Sequence, residues 1–227
     1  MPNLTTILSV SESVLINDQR FVGQILSRNQ RISTSEVLTV VPFQFTFKPM
    51  NYLLYSQNRA LLANLRKYDR SLTQYLNFGS TGWVNYIAYQ GNLTSSQIPS
   101  CQWQTSSTGT NLVLGNLPSI SSTAYIVKAG DFCQMDNYPY IATADVLRGS
   151  GSTITIPVHR TILTTLTSPQ NAVIGQYGTT ISMGGSTYTG VTFQVILQAY
   201  PTYTLVPMTN DSFIQWSGGF QGIEAVQ

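Results

Sequence analysis

From Val158 to Val206 the chain runs through β-favouring, almost uncharged sequence in which only His159 and Arg160 can carry charge. Val, Ile, Thr, Tyr and Phe at this density suit a pleated, half-buried surface. A free soluble protein keeps about a quarter of its residues charged, whereas this chain has 9%. Ser, Thr, Asn and Gln, roughly a third of all residues, take that place. Such a surface hydrogen-bonds readily and repels its neighbours weakly, as suits a subunit packed against others.

Short strands with Gly and Ser turns extend this pattern. Phe43, Phe45 and Phe47 alternate with Gln44 and Thr46, the period of a strand with one buried face; Pro42 belongs at its start, at a bulge or on an edge. From Trp83 onward the chain reads as β: Trp83 to Gln90, Tyr125 to Lys128, Tyr140 to Leu147, Thr153 to Val158, Val173 to Gly175, Thr180 to Met183, Thr192 to Ala199, then the pair Tyr203 to Val206 and Phe213 to Trp216. Residues 94–111, rich in Ser, Thr, Gln and Gly, read as a loop that touches a neighbour. One helix interrupts the strands. Leu61, Leu65, Tyr68 and Leu72 draw an apolar stripe at helical spacing, with Ser56 as N-cap. The helix is placed from Ser56 to Tyr68, about residues 56–70, with Tyr75 as its outer limit. The expected fold is mainly β: an antiparallel β-sandwich or barrel with one packed α-helix. A single domain over 1–227 is expected, with an irregular segment over about 1–35, where Val14 to Ile16 form a short strand and Arg20 to Leu26 a strand or helical turn.

Charge is small in sum, +2, and uneven in placement. Residues 19–70 hold eight basic side chains (Arg20, Arg28, Arg31, Lys48, Arg59, Arg66, Lys67, Arg70) against Glu36 and Asp69. Ordinary solvated helix charge competes here with a basic face for an acidic neighbour. Aromatics interleave with these bases, as in single-strand nucleic-acid grooves. Three of them share one strand face, where burial explains them, so no specific nucleic-acid partner is expected. No stretch approaches the ~20 apolar residues of a membrane span, and no signal peptide is read at the N-terminus. Three Asn-x-Ser/Thr matches, at Asn3, Asn92 and Asn210, are read as chance. Cys101 and Cys133, the two cysteines, are expected as reduced, semi-buried thiols.

Catalytic chemistry is thin. His159 is the single histidine, so a Ser-His-Asp arrangement would have to use it with Asp131 or Asp145, and no Gly-x-Ser-x-Gly elbow supplies the nucleophile. Its place in a β run favours a structural imidazole. Asp131, Asp136 and Asp145 offer carboxylate pairs on paper, but Asp131 and Asp136 flank a turn-like stretch and are read as solvated loop acids. One histidine and two isolated cysteines build no zinc site, and no calcium loop, P-loop or dinucleotide fingerprint is present. No catalytic residue, cofactor or metal is expected.

Several segments resemble the phage tail proteins of the tube end and baseplate hub. Lys128-Ala-Gly-Asp-Phe-Cys-Gln, Tyr140-Ile-Ala-Thr-Ala-Asp-Val and Ile154-Thr-Ile-Pro-Val-His-Arg are similar to a recurring pattern there. In that pattern a strand leads to "AGD" plus an aromatic, then a tyrosine-to-"TADV" strand, a Gly turn and "I-x-P-x-x-R". Cys133 departs from the Ile or Phe expected at its place, which concerns packing. Asn58 to Arg70, Trp83, Tyr89-Gln-Gly and Phe213-Ile-Gln-Trp-Ser-Gly-Gly-Phe resemble flanking parts of the same proteins. The resemblance implies a non-enzymatic virion component, assembled in the host cytoplasm, commonly a hexameric ring of its own copies that meets neighbouring tail or baseplate proteins. Arg59, Arg66, Lys67 and Arg70 are the candidate interface. The alternative is a carbohydrate- or receptor-binding tail-tip module using the 94–111 loop and the surplus of Tyr and Trp. A hydrolase using His159 stands third.

Overall fold

The computed structural model describes residues 4–19, 22–26, 32–36, 40–67, 72–80, 85–183 and 185–226. The fold is mainly β and antiparallel, as expected, and its largest sheet curls into a half-barrel. That sheet runs in the order Ser11–Asn17, Gln44–Pro49, Phe220–Glu224, Thr192–Ala199, Gln74–Asn77. Its middle strand therefore comes from near the C-terminus, held between partners some 170 and 25 residues earlier in sequence.

Two further sheets complete a layered stack. The middle sheet is ordered Tyr138–Ile141, Phe132–Met135, Val173–Ile174, Tyr177–Gly178, and the outer one Ile154–Pro157, Asn111–Gly115, Gln102–Trp103, Gln170–Asn171. Side chains on a strand point alternately to opposite faces. Phe132 and Val173 accordingly enter the core under the half-barrel, while Cys133, Met135, Ile174 and Tyr140 enter a second core against the outer sheet. Phe132–Met135 is buried along its whole length because it is covered on both faces.

Aromatic rings fill the first core. Phe193 meets Phe43 and Phe45 edge-on at 5.1 Å each, and Phe78 and Phe132 at 5.8 Å, the offset geometry that ring quadrupoles favour. The second core centres on Trp103, whose indole N–H donates to the Gln134 carbonyl at 2.7 Å. Both cysteines lie in this core as free thiols. Burial pushes Cys101 up to about 11 and Cys133 higher still, which keeps both protonated and unreactive near neutrality.

Several local expectations shift. Helix α1, Leu4–Ser9, and the strand Ser11–Asn17 occupy part of the segment expected to be irregular. Helix α2 spans Tyr55–Lys67 and buries Leu61 and Leu62. It stops before Leu72, which is exposed, and Tyr75 belongs to a strand paired with Thr192–Ala199. The expected stripe thus overran the helix. Tyr68 lies outside the described residues. Of the strand read over Trp83 to Gln90, residues 85–90 form a turn and coil, because Tyr89 is held by the Gln176 side chain and by the Ile126 carbonyl instead of by a strand ladder. Residues 94–111 are not one loop. They carry a helical turn at Ile98–Ser100, with Ile98 buried, and a strand at Gln102–Trp103.

Candidate functional site

The Ala-Gly-Asp segment folds as a braced turn. Gly130 sits at φ +95°, a conformation that suits glycine, and its N–H donates to Ala142. The Asp131 carboxylate accepts from the backbone N–H of Lys128 at 2.8 Å and of Gln90 at 2.9 Å. Asp145, from the Thr-Ala-Asp segment, accepts from the N–H of Ala129 at 2.9 Å. Both motif carboxylates therefore hold one turn in place. Burial lifts the Asp131 carboxyl above the usual range, partly offset by the Lys128 and Gln90 N–H groups.

His159 and Arg160 sit where the layers meet. The His159 Nδ1 accepts from the Ile141 backbone N–H at 3.0 Å, and the His159 backbone N–H donates to the Ile141 carbonyl at 3.0 Å. The ring lies 5.3 Å from Phe43. An imidazole whose Nδ1 is committed to a backbone donor fixes strand position. Arg160 is 1% exposed and forms a bidentate pair with Glu224, which is 4% exposed, at 2.5 and 2.6 Å. The same guanidinium donates to the carbonyls of Val41 and Pro139 and lies 5.2 and 5.3 Å from the Phe43 and Tyr140 ring centroids. Glu224 also accepts from the Phe43 N–H at 3.1 Å. One ion pair thereby joins the half-barrel's middle strand to the middle sheet.

Among the candidate interface residues, Arg59 is exposed on α2. Arg66 and Lys67 lie in its last turn. Arg70 lies outside the described residues, as do Arg20, Arg28 and Arg31. Lys48 is paired with Glu12 on the adjacent strand.

The expected cap of α2 is corrected. Ser56 lies inside the first turn, and the capping carboxylate is Asp211, at the turn between the strands Tyr203–Met208 and Asp211–Trp216. Its oxygens accept from the Ser56 hydroxyl at 2.6 Å and N–H at 3.3 Å, and from the Ser212 N–H at 2.7 Å. The Ser56 hydroxyl, ahead of the Ser212 N–H, holds this carboxyl below the usual range. A lowered folded pKa gives stability that is present above the unfolded pKa and lost as pH falls through the folded one. Asp211→Ala should therefore speed hydrogen exchange in residues 55–60 at neutral pH, with the difference from the unaltered protein vanishing in acid below pH 3.8. Equal exchange at neutral pH would show that the cap does not hold the helix.

The hairpin that carries Asp211 is largely open to solvent on its outer strand. Its outer strand Tyr203–Met208 is half-buried or exposed along its length and pairs on one side only among the described residues. Leu205 and Met208 are exposed, and Tyr52, 65% exposed, sets its ring edge-on to Phe213 of the inner strand. Pro207 on that edge limits indiscriminate strand pairing. Trp103, by contrast, is fully buried and offers no stacking surface.

Among the described residues no three His, Cys, Asp or Glu side chains gather as a metal site, and no helix is long and apolar enough to cross a membrane. Neither a protein-family model nor a curated protein matches this chain.

Proposed function

We propose that the chain is a non-enzymatic structural subunit of a phage tail, assembling with its own copies into a ring at the tube end or baseplate hub. The observation that carries this reading is the hairpin Tyr203–Trp216. Exposed Met208 shares one face of the hairpin with Val206, Phe213 and exposed Tyr52, exposed Leu205 lies on the other face of the same uncharged strand, and the basic helix α2 packs against the inner strand. Grouped apolar side chains on an open sheet edge are costly to leave in water and mark contact surfaces. The braced Ala-Gly-Asp turn adds support from the motifs that resemble tail proteins. The surrounding Ser, Thr, Asn and Gln let copies meet without like-charge repulsion, and Arg59, Arg66, Lys67 and Arg70 supply contacts to acidic neighbours. Copies of the chain and adjoining tail proteins are then its partners and the virion its location, with assembly in the host cytoplasm.

Native mass measurement and electron microscopy of the purified protein test this. A closed ring is expected, and the double change Leu205→Lys, Met208→Lys should return it to monomers that keep the β-rich circular-dichroism spectrum of the unaltered protein, since both side chains are exposed. A protein that stays monomeric at every concentration and is absent from tail particles would refute the proposal.

A further inference from the structure

On a different face, two adjoining hollows of about 220 and 310 Å³ share Asp136 and Gln170. Their lining is mixed in the smaller hollow, where Val173 and Ile181 stand among polar groups, and mainly polar in the larger, which adds Leu166 and Pro169; apart from Asp136 it is uncharged. Threonine and serine hydroxyls from residues 164–168 and 179–182 line them, with the amides of Gln134, Gln170 and Asn171. Asp136 is placed by rigid parts of the fold. It follows the doubly covered strand Phe132–Met135 at φ +55°, its N–H donates to the Gln170 side chain at 2.7 Å, and its carbonyl accepts from the buried Gln134 amide at 3.3 Å. Gln134 is itself fixed, accepting from the Thr192 N–H at 2.8 Å. The Asp136 carboxylate faces the Thr164 hydroxyl at 3.3 Å.

We infer that this cleft binds a neutral, hydroxyl-rich ligand of one or two sugar rings. One carboxylate with no basic residue in the lining disfavours anions. A divalent cation wants six or more oxygens at close range, usually from several carboxylates, and only Asp136 supplies one here. An apolar ligand would leave the hydroxyls and amides unpaired. Sugar hydroxyls donate and accept at once, matching a carboxylate acceptor flanked by amides and threonines that do both. The combined space falls within the usual range of small-molecule sites, about 300–1,000 Å³. With no aromatic platform in the lining, binding belongs in the millimolar range.

The test is saturation-transfer NMR on the full chain with lactose, maltose, cellobiose and di-N-acetylchitobiose. At least one should receive saturation. Asp136→Asn, which tolerates the same positive φ, should weaken that ligand about tenfold, the worth of one charge-assisted hydrogen bond, while leaving the melting temperature unchanged. Transfer to none of the four, or transfer indifferent to both Asp136→Asn and Thr164→Val, overturns the inference. Calorimetry showing calcium bound by the unaltered protein and lost in Asp136→Asn overturns it in favour of a cation. Oligomeric state measured on the same samples is independent of every outcome, so this inference and the ring proposal fail separately.

Discussion

Glu224→Ala is expected to destabilise the fold by about 3–5 kcal/mol, because breaking a buried pair leaves its partner charged and dry. For a chain of this length the melting temperature should fall by about 10 °C. Without Glu224 the Arg160 guanidinium keeps only the Val41 and Pro139 carbonyls and the flanking Phe43 and Tyr140 rings. The Phe43 N–H loses its acceptor as well. The pair as a whole need not be strongly stabilising, since desolvation offsets much of the attraction. The double change Arg160→Met, Glu224→Leu should therefore cost far less than the sum of its single changes, and the cycle measures the coupling. A single Glu224→Ala protein that melts within about 2 °C of the unaltered one would show that the ion pair is hydrated in solution and does not tie the layers together.

This ion pair also marks how far the sequence alone could be read. Strand content was legible wherever the period-2 pattern was clean, as at Phe43, Phe45 and Phe47, all buried, and at Thr192–Ala199. The layering was not, because the middle sheet is covered on both faces. A strand such as Phe132–Met135 therefore shows no alternation to announce its two sides. Helix α2 was found from its stripe, but its end was overrun, since Leu72 continues the spacing while the chain has already left the helix. Nothing local announces the capping carboxylate, which arrives from 155 residues away. Arg160 is held at the junction of the layers by its buried pair with Glu224. Its partner was within reach of a scarcity argument: beyond Arg160 the only acidic residues are Asp211 and Glu224, and a lone arginine buried in an uncharged run needs one of them. The interface expectation on Arg59, Arg66, Lys67 and Arg70 had a charge signal behind it. The Asp136 cleft had none, because its threonines and amides come together only when the 164–171 and 179–182 segments fold against one turn.

Trp103→Ala should have an effect of similar size, and its spread across the sheets tests the layered stack. Removing a fully buried tryptophan costs about 3–5 kcal/mol, and the Gln134 carbonyl loses its donor in addition. Trp103→Phe narrows the comparison, since it keeps one aromatic ring in the core while removing the N–H together with the smaller ring's volume. It should cost about 1–3 kcal/mol, the range for an unsatisfied buried polar group. The position of Gln134 makes the consequence travel. Its carbonyl faces the second core, while its side chain accepts from Thr192 at the start of a half-barrel strand. Phe132 and Val173, on one face of the middle sheet, pack into the half-barrel core, while their neighbours Cys133 and Ile174, on the other face, pack around Trp103. A loosened second core therefore shifts the wall of the first. Hydrogen exchange should accelerate in 192–197 together with 112–114 in Trp103→Ala. Acceleration confined to 112–114 would mean that the outer sheet unfolds as its own unit and that the middle sheet keeps its register without it.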